Sequence, residues 1–296
     1  MKGLILINGY PAAPKFLAQA ERIKEELCAL GVSVRVVKNG EVGVKMLSNG
    51  RLQTFGVQKD ETFCVYLDKD KYLSRALEMS GLRLFNSATA VETCDDKSTT
   101  YLALASKGVR VVETIFAPLC YTRGAEPNET FLAKVQSEVS LPVVVKKCYG
   151  SFGAGVRLAR SAKELFEAAK DALFEPHCYQ KYVAKSKGKD VRVIVIGGKA
   201  VGAMERTAKE EEFRSNVELG GTGKAIPLTP AFQQAAEKAA NVLGLDYCGV
   251  DLLYGESGEP LLCEVNSNAF FEAFERVTGI NVAKTYAEHI VSTQKR

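Results

Sequence analysis

The sequence predicts a mixed α/β (α+β) protein in which a small parallel α/β unit leads a longer region of antiparallel strands and helices. The first 85 or so residues repeat a strand, helix, strand pattern, the strand at 142–147 carries lysines into a loop with three glycines, and a hairpin occupies 247–265.

Residues 3–7 read as a buried apolar strand, and Phe16, Ala20, Ile23, Leu27 and Leu30 then recur at helical spacing. Gly31 stops that helix and 32–37 is a second strand, which completes a βαβ unit. Asn49 and Gly50 make a turn, 63–67 a third strand, 71–80 a helix closed by Gly81, and 82–85 a fourth strand. The pattern then changes to a helix at about 96–107, a strand near 109–112, a loop at 117–130, a helix at 131–139 and the strand 142–147. Ser161 with Glu164 is a capping box for a helix reaching about 173, and strands follow at 178–183, 190–196 and 199–206. A helix at 230–243, the hairpin and a helix at 281–291 complete the chain. Three units are expected: 1–90, 91–180 with the glycine loop, and 181–296 with the hairpin.

A chain of 296 residues, 46% hydrophobic and 25% charged, is long enough for two or three packed units. The net charge of +4 is small beside 39 basic and 35 acidic residues, so no nucleic-acid partner is expected. Eight cysteines stand singly, with no C-x-x-C and only two histidines, which suits reduced thiols in the cytoplasm better than a disulfide framework. No run approaches the roughly 20 apolar residues of a membrane span, and the opening run is too short for a signal-peptide core. A soluble protein without a membrane partner is the expectation. After the first strand stands Asn8-Gly9-Tyr10-Pro11 rather than G-x-G-x-x-G, so dinucleotide binding by the first unit is not expected.

The hairpin carries the first chemical signal. If Tyr254 pairs with Leu261, antiparallel register sets Asp251 opposite Glu264, and a period of two adds Asn266 to the same face. Three oxygen donors on one face suit magnesium, whose remaining positions phosphates and waters fill. A hairpin with one solvated face is the other reading of these residues. The second signal is Lys146 at a strand end before Gly150-Ser151-Phe152-Gly153-Ala154-Gly155, where glycines let backbone N–H groups wrap phosphate oxygens beside a lysine charge. Its G-x-x-G-x-G spacing matches neither the P-loop nor the kinase loop, and a plain glycine turn is the alternative. The segment 220–225 lacks the spacing of a phosphate loop and reads as a flexible loop. The third signal joins Asp190 and Arg192 to Arg206, Arg214 and Asn216, guanidinium groups suited to phosphoryl oxygens and a carboxylate, although a charged surface also explains them.

In this order the residues resemble the ATP-grasp superfamily, and within it the RimK-like family of the alpha-L-glutamate ligase type, over roughly residues 86 to 290. The resemblance implies an ATP-grasp fold behind a pre-ATP-grasp domain. It implies that Lys97 of Asp96-Lys97 and Lys146 contact phosphate, and that the glycine loop with Gly150, Ser151, Gly153 and Gly155 covers the nucleotide. Gln180-Lys181-Tyr182-Val183 matches the adenine hinge; lysine replaces the usual acid at 181, so the adenine contact is expected to fall to backbone carbonyls. Asp190 is counted with the nucleotide contacts, Arg192, Arg206, Arg214 and Asn216 with catalysis, and Asp251, Glu264 and Asn266 with the metal. Many members have proline shortly after the metal-binding asparagine; Ser267-Asn268-Ala269-Phe270 departs from that at the substrate end of the pocket.

The resemblance further implies ATP with magnesium, manganese as an alternative, and two ions. The reaction it implies joins a small-molecule or peptide carboxylate to an amino acid, glutamate first, through an acyl phosphate. A ligase for a dipeptide or D-amino acid and an ATP-binding regulator without turnover are the competing expectations. A homo-oligomer is left open.

Overall fold

The structure, a computed structural model, describes residues 1–10, 14–150, 153–209 and 221–294. β1 (Lys2–Ile7), α1 (Pro14–Ala29), β2 (Ser33–Lys38), the hairpin β3 (Gly43–Met46) and β4 (Leu52–Phe55), β5 (Phe63–Leu67), α2 (Lys71–Met79) and β6 (Arg83–Phe85) come first. The long strands form a parallel sheet in the order β2-β1-β5-β6. β1 and β5 sit at its centre, which explains their unbroken apolar runs. Asn49 and Gly50 close the β3–β4 hairpin, whose short, half-exposed strands lack the apolar run that marks a strand in sequence.

α4 (Lys97–Leu104) falls within the helix expected at 96–107, and α3 (Ala88–Asp95) precedes it as a helix the sequence reading did not include. Asp96 separates them in extended backbone, and its side chain caps α4 by accepting from Ser98 N and Thr99 N. The strand expected near 109–112 is also corrected. That segment makes only a bridge from Val111 to Leu262, and β7 falls at Thr114–Phe116.

β7 joins β8 (Val143–Lys147), β9 (Val156–Ala159) and β10 (His177–Lys181) in an antiparallel sheet of order β7-β10-β8-β9. α5 (Glu129–Val139) and α6 (Ala162–Ala172) cover it through Leu132, Val135, Leu165 and Ala169. Ser161 Oγ accepts from Glu164 N as a capping box requires, while Glu164 reaches back to Arg160 N instead of the cap residue.

β11 (Lys189–Ile196), β12 (Lys199–Thr207), β13 (Thr222–Ile226), β14 (Tyr247–Tyr254) and β15 (Pro260–Asn266) form the third sheet, ordered β13-β12-β11-β14-β15 and antiparallel throughout. The segment expected as a flexible loop therefore contains an edge strand, held by pairing with β12 that its glycine-rich composition conceals. α7 (Pro230–Leu243) starts on Pro230 at its first turn and ends on Gly244 in the left-handed conformation. It packs on the face that carries Val191, Val193, Val250 and Leu252.

α8 (Glu272–Thr278) and α9 (Val282–Gln294) complete the order. Ile23, Phe63, Ile194, Tyr247, Phe274 and Ile290 belong to one apolar cluster, so the first and third sheets share a core. Asn86 fastens the same junction: its Nδ2 donates to Tyr247 O and Ser267 O at 2.8 and 3.0 Å, and Tyr247 N donates to its Oδ1 at 2.9 Å.

Candidate active site

A long cleft runs between the second and third sheets, lined from β8, β9 and β10 on one side and from β11, β12, β14 and β15 on the other. Pairing sets Arg192 opposite Asp251 on β14 and opposite Met204 on β12, and sets Asp190 opposite Arg206. Period-two alternation turns these side chains into the cleft while their apolar neighbours turn to α7.

Asp251 faces Glu264, and Gly249 faces Asn266, as the hairpin reading expects. The route to that register differs, because Tyr254 pairs with Pro260 and not with Leu261. One extra residue, Cys263, is absorbed in a bulge between Leu262 and Glu264, so the pairing is offset below the bulge and coincides with the expected one above it. Cys263 and Glu264 consequently both line the cleft.

Four cations are brought together with three acids. Arg192 Nε and Nη2 donate to Asp251 Oδ1 and Oδ2, each at 2.7 Å. Arg206 grips Asp190 bidentately, with Nε 2.6 Å from Oδ1, and its Nη2 lies 2.9 Å from Asp251 Oδ2. Lys97 Nζ lies 3.1 Å from Glu264 Oε1 and donates to Gly150 O at 3.3 Å, while Lys146 Nζ donates to Cys263 Sγ at 3.4 Å. Arg206 and Asp251 are only 5% and 4% exposed, and Lys97 and Lys146 9% each, an arrangement that charged groups tolerate only when paired.

Burial works to raise the Asp251 carboxyl, but Arg192 and Arg206 outweigh it and hold the pKa below its ordinary value. Burial likewise works to lower Lys146, and neighbouring Cys263, Tyr101 and Glu264 turn the shift upward. Arg206 is raised in the same way by Asp190 and Asp251 against its burial.

Asn266 Nδ2 donates to Asp251 Oδ2 at 3.3 Å, which brings the amide and the two paired carboxylates into one patch. Among the described residues no group of three His, Cys, Asp or Glu is placed to hold a metal ion. Two carboxylates and an amide oxygen are a different donor set, hard oxygen throughout, and that set fits magnesium.

Gly150 and Gly153 line the cleft with φ of +129° and +74°. Gly155, at +75°, lies against the Lys147 side chain outside the cleft, so the structure does not bring it to the expected site. Gln180, Lys181, Tyr182 and Val183 all line the cleft. Gln180 Nε2 donates to Thr114 Oγ1 at 2.8 Å, Lys181 Nζ turns to Glu113 at 3.1 Å, and Lys181 N donates to Glu113 O at 3.0 Å. Ser151, Arg214 and Asn216 lie outside the described residues.

Val112, Val144, Val156 and Leu253 add an apolar slot beside the 180–183 segment, and Met204, Phe270 and Phe274 an apolar end near Arg192. Of these the sequence marked only Phe270, as part of the 267–270 segment at the substrate end of the pocket; the others read as ordinary core residues. The period-two position of Leu253 beside Asp251 was the one available signal.

The RimK-like ATP-grasp domain matches residues 94–290, the span that holds the lysines, the arginine pairs and the hairpin. The chain belongs to the RimK-like ATP-grasp family. Beta-citrylglutamate synthase B of Danio rerio is 36% identical over 229 residues, 77% of this chain and 55% of that protein. N-acetylaspartylglutamate synthase A of Mus musculus is 34% identical over 265 residues, 88% of this chain and 68% of the relative. A probable alpha-L-glutamate ligase of Thioalkalivibrio sulfidiphilus is 39% identical over 211 residues, 71% and 67% of the two chains. The chain thus spans between about half and two thirds of the length of these relatives.

Solved structures place the ATP-grasp fold over the whole chain. The D-alanine–D-alanine ligase of Bacillus anthracis complexed with ATP superposes with TM-score 0.73 at 17% identity, covering 100% of this chain and 98% of that one. The ATP-grasp ligase PsnB complexed with minimal precursor, Mg and ADP gives 0.71 at 18% identity, covering 99% and 98%. Among the described residues no helix is long and apolar enough to cross a membrane, and all eight cysteines are free.

Proposed function

We propose that this chain is an ATP-dependent carboxylate–amine ligase that adds glutamate to an acid through an acyl phosphate. The observation that carries this is the convergence of Lys97 and Lys146 on the patch formed by Asp251, Glu264 and Asn266. Buried ammonium groups beside a hard-oxygen patch at a cleft suit a polyanion with its counter-ion. The names of the three relatives each include glutamate, which selects it as the amine.

In this reading the apolar slot at Val144, Val156 and Leu253 takes the adenine, with backbone groups of 180–183 at its edge. Lys97, Lys146 and the backbone at Gly150 and Gly153, with Ser151, orient the phosphates. Asp251, Glu264 and Asn266 would hold Mg²⁺, with Mn²⁺ as an alternative and two ions expected, and a metal held there would supply charge neutralisation for phosphate oxygens. Arg192 and Arg206, fixed by Asp251 and Asp190, present their remaining N–H groups to the acid carboxylate and the transferring phosphoryl group, with Arg214 and Asn216 assigned to the same task. The acid oxygen attacks the γ-phosphorus and ADP leaves; the amine nitrogen then attacks the acyl carbon, phosphate leaves, and the amine proton passes to solvent or phosphate. Neither histidine lines the cleft and none is needed.

We assign the units 1–90, 91–180 and 181–296 to substrate support, nucleotide cover and phosphate chemistry, and the protein to the cytoplasm, where its free thiols stay reduced. The test is a mass-spectrometric screen of the purified enzyme with ATP, Mg²⁺, pooled amino acids, small acids and dipeptides. A new mass equal to two inputs less water, with ADP released in step, is expected. ADP release that no acid and amino acid pair stimulates would overturn the reading.

A further inference from the structure

Helix α4 grips β15 at its bulge with two side chains. Lys97 and Tyr101 stand four residues apart on that helix, which sets them on one face, and both are buried. Lys97 Nζ lies 3.1 Å from Glu264 Oε1, and the Tyr101 hydroxyl donates to Cys263 O at 2.5 Å. Cys263 is the extra residue of the bulge, where the ladder is disrupted, and it has no residue of its own opposite on β14. Its carbonyl belongs to the planar peptide unit that leads into Glu264, so a rotation of that unit would swing the Glu264 side chain. The hydroxyl that holds this carbonyl is itself firmly placed. Tyr101 is 5% exposed and packs in the cluster with Leu104, Val250, Leu262 and Val265, and Gln180 of β10 makes a side-chain hydrogen bond to it.

We propose that Tyr101 is a positioning residue for the metal: through the Cys263 carbonyl it sets the direction from which Glu264 presents its carboxylate beside Asp251 and Asn266. The inference rests on the reading of those three residues as the Mg²⁺ ligands and adds a residue outside that set. Lys97 and Tyr101 divide the task, one holding the carboxylate and the other the backbone behind it. A hydroxyl that only satisfied a buried carbonyl would cost stability when removed and leave metal affinity alone, so measurement separates the two roles. Partners that orient a metal ligand typically carry about a 10- to 100-fold share of metal affinity.

The test uses Tyr101→Phe, which keeps the ring in the core and removes only the donor. Calorimetry measures binding of a non-hydrolysable ATP analogue to wild type and variant, once with Mn²⁺ and once with EDTA; the ratio of the two dissociation constants reads the share of affinity that comes from the metal. In the wild type Mn²⁺ is expected to tighten binding. In Tyr101→Phe that tightening should shrink by about 10- to 100-fold while the affinity with EDTA holds, and a thermal melt should still show a folded protein. In a Glu264→Ala background Tyr101→Phe should remove no further tightening, because the tyrosine acts through that carboxylate. An undiminished ratio in Tyr101→Phe, whether both affinities fall or neither does, would overturn the role, and so would a full additional loss in the double variant. Mn²⁺ that tightens wild-type and Tyr101→Phe binding equally would sink this inference while the metal reading stood; Mn²⁺ that fails to tighten binding in the wild type removes both.

Discussion

Asp251 and Glu264 stand opposite each other in the ladder, yet their removal has different consequences. Glu264 has a side chain 31% exposed and one lysine partner, so Glu264→Gln keeps the volume and the contact to Lys97 while removing the charge. ATP turnover should fall about 100-fold or more, the size usual for losing one preorganised electrostatic contact, with the thermal midpoint little changed. Asp251 is buried between two guanidinium groups, and Asp251→Ala would take from Arg192 its carboxylate partner and leave Arg206 with Asp190 alone, at a cost of about 3–5 kcal/mol. Loss of stability should therefore accompany its loss of activity. Because the folded-state pKa of Asp251 lies below its unfolded value of about 3.9, the stabilisation is fully present above that pH and is lost as pH falls through the folded value. Chemical denaturation from about pH 4 downward should show a steeper decline for the wild type than for Asp251→Asn. Parallel declines would mean that the carboxylate is not held down by its arginines.

Lys97 owes its position to an element boundary. Asp96 caps α4, and Lys97 is the first residue of that helix, so the Asp-Lys pair is a cap followed by the side chain the cap orients. Asp96→Ala should cost about 1 kcal/mol of stability and raise KM for ATP, and steady-state kinetics beside a thermal melt separate the two effects. The helix start near Asp96 was legible in sequence, whereas α3 was not, because its 8 residues are short and held by tertiary contacts. β13 and α8 were concealed for a related reason: one is an edge strand rich in small residues and the other a helix of 7 residues, both held by tertiary contacts instead of local pattern. The hairpin was legible because an antiparallel pair fixes faces from a single guess of register. The bulge at Cys263 was not, and it offsets an error of one residue in that guess. Lysines, arginines and acids were visible as residue types at telling spacings; that the arginines would be held by Asp190 and Asp251 followed only from the cross-strand geometry.

The parallel first sheet and the antiparallel third one act together because they share a core and because Asn86 joins them. Asn86→Ala would strand Tyr247 N, Tyr247 O and Ser267 O, each unsatisfied buried group costing about 1–3 kcal/mol. A marked drop in thermal midpoint is expected, with weaker use of the acid substrate, since Ser267 leads into the turn that carries Ala269 and Phe270. An unchanged midpoint would show that the shared core alone fixes the two sheets. At this scale the decisive chemistry is the transfer of one oxygen from acid to phosphate, which only an acyl-phosphate route performs. The acid identified by the screen, labelled with ¹⁸O in its carboxyl group, is incubated with ATP, Mg²⁺ and glutamate, and the released phosphate is analysed by mass spectrometry. One ¹⁸O atom per product is predicted in the phosphate. Product formed with unlabelled phosphate, or with AMP and pyrophosphate in place of ADP, would contradict the ligase mechanism.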